Sequence, residues 1–123
     1  MSVRFLFSVA MAVTIGASSS GWAHHSNVLQ DLTKTQVITG MVKEVRLANP
    51  HSYIVVVAPD PRTGKEETWT VEGAGNYALA RMGIRPGVIH VGDTITLSGH
   101  PERDGSRKGT FSKVVVNGKT FGQ

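Results

Sequence analysis

From Thr35 onward the chain alternates short runs of β-forming residues with clusters of glycine, proline and asparagine. The clearest run covers residues 67–72, where Trp69 and Val71 alternate with polar residues. A period of two is typical of a strand with one buried face. The same pattern of runs and turns predicts an all-β fold with five strands, at residues 35–46, 51–58, 67–72, 94–98 and 111–116.

A single short helix is predicted between the third and the fourth strand. Asn76 suits its N-cap position and Gly83 its end. Five strands with one helix at this place is the element order of the OB fold, a small five-stranded antiparallel Greek-key barrel. Gly40, in the middle of the first strand, predicts a bulge or bend of the kind that closure of a barrel requires. An open antiparallel sheet or a small sandwich is the alternative.

The first 23 residues have the three regions of a secretory signal peptide. Arg4 gives a positive start, residues 5–17 carry no charge, and Gly21 and Ala23 are small residues where a signal peptidase reads the chain. This apolar stretch is shorter than the roughly 20 residues that cross a bilayer, although an uncleaved anchor is the alternative. We therefore expect cleavage near Ala23 and a periplasmic or secreted protein.

The chain is accordingly divided into a signal peptide at residues 1–23, an N-terminal arm at 24–34 and a barrel domain at 35–123. The arm is polar and lacks periodicity, so we expect it to be either flexible or docked. The chain has no cysteine, so a domain of this size must be stabilised by burial instead of disulfides. No apolar run after the predicted cleavage site approaches the length of a transmembrane segment.

All five histidines follow the predicted cleavage site. Cleavage after Ala23 would bring a free amine and the imidazoles of His24 and His25 together, and His51 would add a further nitrogen if the arm folds back. Copper and zinc bind neutral imidazole nitrogen. The sequence thus predicts a metal site formed by His24, His25 and His51, for copper or another divalent transition metal.

An alternative without metal is open for each of these residues. The adjacent histidines can be ordinary polar residues, and His51 can bond backbone groups in a turn with Asn49. His90 and His100 flank the fourth strand, where we expect them on the surface. The chain has no Gly-x-Ser-x-Gly motif and no cysteine nucleophile, so the sequence favours a binding protein over an enzyme.

The full chain has a formal charge of +4, and its basic excess lies towards the carboxyl end. The residues concerned are Arg103, Arg107, Lys108, Lys113 and Lys119. They could attract an anionic polymer, although a solvated surface is the alternative. Tyr53 and Trp69 could stack on bases, but predicted export argues against nucleic acid, and we expect both side chains in the core.

Short motifs spread over the chain resemble domain-of-unknown-function family 6152 (DUF6152), a family of small exported bacterial proteins. The motifs are Ala23-His24-His25-Ser26, Thr39-Gly40-Met41-Val42, Asn49-Pro50-His51, Trp69 with Glu72, Leu79-Ala80-Arg81 with Gly83, Gly92-Asp93, and Gly99 with Pro101. The resemblance implies that the paired histidines and the Asn-Pro-His turn are recurring polar signatures, and it implies no established reaction. The residues after Ser26 depart from the aromatic, acidic stretch of the family.

Three functions follow from these features. The leading hypothesis is a non-enzymatic exported module that binds a small ligand or an envelope component, with a metal at its processed start. The second is a metal-independent adaptor that binds a protein or an anionic envelope polymer. The third is a copper-dependent oxidase with the same histidines, which would also need an open coordination position.

Overall fold

The computed structural model describes residues 29–123, so the predicted signal peptide and the paired residues His24 and His25 lie outside the described residues. The described part contains seven strands and one helix. The strands are β1 (Gln36–Arg46), β2 (Ser52–Pro59), β3 (Glu66–Gly73), β4 (Thr94–Gly99), β5 (Lys108–Thr110), β6 (Lys113–Val116) and β7 (Lys119–Gly122). Helix α1 (Asn76–Arg81) lies between β3 and β4. The fold is therefore mostly β with one short helix, as predicted.

The seven strands form one sheet in the order β5-β3-β2-β1-β4-β6-β7. Neighbouring strands are antiparallel except for β3 and β5, which are parallel. The two outermost strands, β5 and β7, do not pair with each other, so the ladders do not close into a ring. The prediction of a closed five-stranded barrel is therefore wrong in the number of strands and in closure.

The difference arises where a single last strand was predicted. Residues 108–110, which precede the predicted last strand, pair with β3 as β5. The next two residues then change partners: the Phe111 amide donates to the carbonyl of Glu72 in β3, and the Ser112 amide donates to Ser98 in β4. This part of the chain thus pairs first with β3 and then with β4, so it forms the two strands β5 and β6 instead of one. A turn with positive φ at Asn117 then leads into β7, which lies beyond the last predicted strand.

Alternate residues of the strands face a common core, because side chains in a strand point to opposite faces in turn. The buried apolar strand residues are Ile38, Val42, Ile54, Val56, Ala58, Trp69, Val71, Ile95, Leu97, Val114 and Val116. The prediction that Trp69 and Val71 face the core is confirmed. Tyr53 lies on the opposite face of β2, where its hydroxyl donates to Glu44 at 2.7 Å, so the core position predicted for Tyr53 is wrong.

Strand β1 contains the irregularity predicted for its middle, but at another residue. The register with β2 shifts between Val42 and Glu44, which makes Lys43 the extra residue of a bulge. Gly40 has a different role, because a Cβ atom at this position would overlap the carbonyl oxygen of Val57. Glycine therefore allows β2 to pack closely against β1.

Candidate functional site

The Asn49-Pro50-His51 turn connects β1 to β2 and is bonded to helix α1. The Asn49 Oδ1 atom accepts a hydrogen bond from the amide of Asn76 at 3.1 Å, and the peptide bond between Asn49 and Pro50 is cis. Asn76 is the first helical residue, and no side chain of the helix caps its own start. The side-chain oxygen at the helix start thus comes from Asn49, so the N-cap role predicted for Asn76 is wrong. The same hydrogen bond holds the turn against the helix.

His51 follows this turn and pairs with Glu72 from β3. Its Nδ1 atom lies 2.7 Å from Glu72 Oε1, and the two side chains are 46% and 44% exposed. They meet because Tyr53 of β2 lies opposite Glu72 in the register of the hairpin. The imidazole therefore donates to a carboxylate from β3, and the alternative bond to the turn with Asn49 is not the one formed.

The hydrogen bond to Glu72 decides which ring nitrogen of His51 is free. In the neutral ring, donation from Nδ1 to the carboxylate leaves the lone pair on Nε2, where a ligand can bind. Histidines that bind metals generally donate their other ring nitrogen to a carboxylate or carbonyl in this way, which fixes the tautomer and raises the basicity of the ligating atom. The sequence analysis named Glu72 only in a family motif with Trp69 and did not pair it with His51.

Two surface grooves, of about 210 and 280 Å³, share His51 and Glu72 in their walls. The smaller groove is completed by Gln30, Gly73, Ala74, Thr110 and Phe111, and the larger by Ser52, Tyr53, Thr70, Glu102, Lys108 and Gly109. The His51–Glu72 pair lies where β2 begins and β3 ends.

The described end of the arm, residues 29–34, runs along the loop between β4 and β5; we call this segment the strap. The Arg103 amide donates to the carbonyl of Leu29 at 2.8 Å, and the Asp31 amide donates to the carbonyl of Pro101 at 2.9 Å. These two bonds form a short antiparallel bridge. Of the two alternatives for the arm, docking therefore holds for its described part.

Gln30 brings the strap to the candidate site. The residue is only 9% exposed and lines the smaller groove together with His51 and Glu72. His25 precedes Gln30 by five residues. A chain spans at most about 3.5 Å per residue, so those five residues reach up to about 17 Å.

Asp31 holds the turn within the strap. The Thr33 hydroxyl donates to Asp31 Oδ1 at 2.5 Å, and the Lys34 ammonium lies 3.2 Å from Oδ2. The hydrogen bond from Thr33, followed by that from Lys34, lowers the pKa of Asp31 from 3.8 to about 2. Both donors favour the charged carboxylate, so Asp31 is ionised at neutral pH.

The remaining two histidines do not join His51. The ring of His90, just before β4, lies 3.7 Å from the Asp93 carboxylate, and the His90 amide donates to the same carboxylate at 2.9 Å. His100 Nδ1 donates to the carbonyl of Lys34, in the strap, at 2.7 Å. Within residues 29–123, no three histidine, aspartate or glutamate side chains are grouped so that they could hold a metal ion.

The late basic residues are distributed over several elements, and two of them are bonded within the chain. Arg103 donates through Nε to the carbonyl of Gln30 at 2.9 Å. Arg107 pairs with Glu67 at 3.0 Å. Nothing in the strand pattern indicated that Arg103 would contact the arm, since the contact joins residues far apart in sequence. Within the described residues, no helix has the length and apolar character needed to cross a membrane.

A family model described as "Family of unknown function (DUF6152)" matches residues 12–112. The chain belongs to the DUF6152 family. The resemblance indicated by its short motifs is thereby confirmed, and the match includes both His51 and Glu72. Among curated proteins, no sequence matches this DUF6152 protein.

The fold of this DUF6152 protein is similar to that of a mitochondrial single-stranded DNA binding protein from S. cerevisiae, Rim1, in its crystal structure (Form2). The TM-score is 0.51 and the identity 7%, with 68% of this chain and 93% of that chain covered. Single-stranded DNA binding proteins of this class are built on OB folds. The likeness supports an OB-like architecture, and at this identity it concerns the fold alone.

Proposed function

We propose that this protein is an exported metal-binding module of the cell envelope, which holds copper or another divalent transition metal between its processed N-terminus and His51. One observation carries the proposal: Gln30 at the end of the arm and His51 line the same groove. The arm therefore leads to an imidazole whose Nδ1 is already bonded to Glu72. Export and cleavage after Ala23 are part of the proposal and are supported by the sequence pattern.

The ligand set would be rich in nitrogen. His51 would contribute Nε2, and a chain that begins at His24 would contribute its amine and imidazole as a chelate, with His25 beside it. Such ligands favour Cu(II), Ni(II) and Zn(II) over Mg²⁺ and Ca²⁺, which prefer oxygen. Because these nitrogens must lose their protons to bind a metal, affinity should fall as the pH is lowered.

The surroundings of His51 suit binding better than nucleophilic catalysis. The neighbouring hydroxyl belongs to Ser52, which is fully buried and accepts a hydrogen bond from the amide of Ala48 at 3.1 Å. A nucleophile activated by histidine needs a hydrogen bond between the two side chains. His51 instead bonds to Glu72, so the adjacent serine and histidine do not act as such a pair.

Calorimetric titration with Cu(II) tests the proposal on protein that begins at His24. We expect one tight site per chain, and at least about 10-fold weaker binding when the terminal amine is acetylated or when His51 is replaced in His51→Ala. His90→Ala is the matched control and should bind like the parent protein. Equally weak binding by the free and acetylated proteins would refute the terminal chelate.

Export is tested separately by the intact mass of protein recovered from the envelope or the medium, under denaturing and native conditions. The denatured mass should correspond to a chain that starts at His24. The native mass should exceed it by one metal ion. A start at any other residue would remove His24 as the chelating terminus, whatever the affinity of the protein for copper.

A further inference from the structure

A cleft between the β2–β3 loop and the β4–β5 loop contains two buried N–H donors. Trp69 and Gln36 both line this cleft, which has a volume of about 250 Å³. The Nε1 atom of Trp69 and the Nε2 atom of Gln36 are buried, and neither finds an acceptor within residues 29–123. A buried donor without an acceptor costs about 1–3 kcal/mol, and native proteins leave few of them. Both donors therefore require an acceptor from outside the described chain.

We propose that this cleft binds an amide group of a small ligand, whose carbonyl oxygen accepts hydrogen bonds from Trp69 and Gln36. The indole N–H can only donate, so a metal ion cannot satisfy it. A carbonyl oxygen has two lone pairs and can accept from both donors. Neither His51 nor Glu72 lines the cleft, so this site is independent of the metal site and of where the chain is cleaved.

The charges around the cleft favour a neutral ligand over an anion. The walls contain two basic residues, Arg62 and Arg107, and two acidic ones, Asp60 and Glu102. Arg107 is already paired with Glu67 at 3.0 Å. Asp60 is only 3% exposed, and a hydrogen bond from the Arg62 amide lowers the pKa of its carboxyl, so it is charged at neutral pH. A carboxylate ligand would be repelled by this charge, whereas an amide would not.

Backbone hydrogen bonds fix both walls of the cleft. The Asp60 amide donates to the carbonyl of Lys65 at 2.8 Å, which closes the β2–β3 loop. The Thr70 amide donates to the carbonyl of Arg107 at 3.1 Å, which fastens the β4–β5 loop to β3. A preformed cleft loses little conformational entropy when a ligand binds. Its volume is below the roughly 300–1,000 Å³ of pockets that enclose whole drug-sized ligands, so it suits one functional group of a ligand.

The experiment follows the indole N–H signal of Trp69 by NMR. Trp22→Phe in the full chain leaves Trp69 as the single tryptophan. The amide probes are N-acetylglycinamide and N-acetylglucosamine, and glucose and acetate are the matched probes without an amide. Gln36→Met and Gln36→Glu both remove the second donor at similar side-chain length. Gln123→Met, at the exposed end of the chain, is the control.

We expect the amide probes to shift the Trp69 indole proton in a saturable manner, and glucose and acetate to leave it unchanged. Both Gln36 variants should bind about 5-fold more weakly, the loss of one hydrogen bond, and Gln123→Met should bind like the parent protein. Binding of only one amide probe would support the site and identify a peptide or a sugar as the source of the amide.

Three results would overturn the proposal. A shift with acetate alone would make the cleft an anion site, and an equal shift with glucose would show that the amide is not recognised. If no probe moves the signal, the two donors are satisfied by water only. Equal affinity in the Gln36 variants and in Gln123→Met would also contradict it, because Gln36 would then donate nothing to the ligand.

Discussion

At the scale of single residues, the hydrogen bond to Glu72, and not burial, determines which ring nitrogen of His51 remains free. Both His51 and Glu72 are nearly half exposed, and an ion pair at such a position contributes at most about 1 kcal/mol to stability. The hydrogen bond instead selects the tautomer in which Nε2 is free. Glu72 therefore determines the tautomer of the His51 ring, whereas it contributes little to the stability of the fold.

Replacement of Glu72 should separate these two effects. Glu72→Ala should lower Cu(II) affinity about 10- to 100-fold, the usual cost of removing a carboxylate bonded to a ligating histidine. The free energy of unfolding should change by less than about 1 kcal/mol. Glu67→Ala, on the same strand but paired with Arg107, is the control. Equal copper affinity in the two variants, measured by titration, would show that Glu72 does not tune His51.

At the scale of elements, the strands that show their own alternation were predictable. Trp69 and Val71 mark β3 because burial of one face imposes a period of two. Strand β5 carries no such signal: Lys108, Gly109 and Thr110 are extended because they pair with β3, a contact distant in sequence. Local pattern thus indicates a strand only where the strand has its own buried face.

The residues of the candidate site also differ in whether the sequence alone could indicate them. His51 could be named as a candidate from the sequence, since an imidazole beside an Asn-Pro turn is a chemical signal in the sequence itself. Glu72 was not, because its partnership with His51 depends on the register that places Tyr53 opposite Glu72. The sequence did not indicate the docking of Gln30 either, because this docking depends on backbone hydrogen bonds to a loop that is distant in sequence, and such bonds produce no pattern of side chains.

Close packing of β1 and β2 should make Gly40 intolerant of a side chain. In Gly40→Ala the new methyl group would meet the carbonyl oxygen of Val57, which belongs to the backbone and cannot move alone. We expect a loss of about 3 kcal/mol in the free energy of unfolding, measured in urea. Thr39→Ala, which loses an exposed 2.9 Å bond to Thr96, should cost about 1 kcal/mol or less. Comparable losses in both variants would contradict the close approach.

At the scale of the whole molecule, the loops contain carboxylates that are stabilised in their charged form. Donors two residues further along the chain lower the pKa of Asp31, Asp60 and Asp104, chiefly the Thr33 hydroxyl, the Arg62 amide and the Ser106 side chain respectively. A folded-state pKa below the unfolded one means that the unfolded chain binds more protons as the pH falls. These loops therefore favour the folded state near neutral pH and lose that contribution in acid.

The contribution of Asp31 can be followed through Thr33, its strongest donor. Its stabilising effect is fully present well above pH 3.8 and is lost as the pH falls through about 2. In Thr33→Val the pKa of Asp31 should rise from about 2 towards 3.8, and the free energy of unfolding should depend less steeply on pH in that window. Titration of the carboxyl carbons by NMR gives the pKa, and Asp104 in the same spectra is the internal control. An Asp31 that titrates identically in both proteins would show that the Thr33 hydroxyl does not stabilise its charge, and that the strap turn depends on Lys34 and the backbone instead.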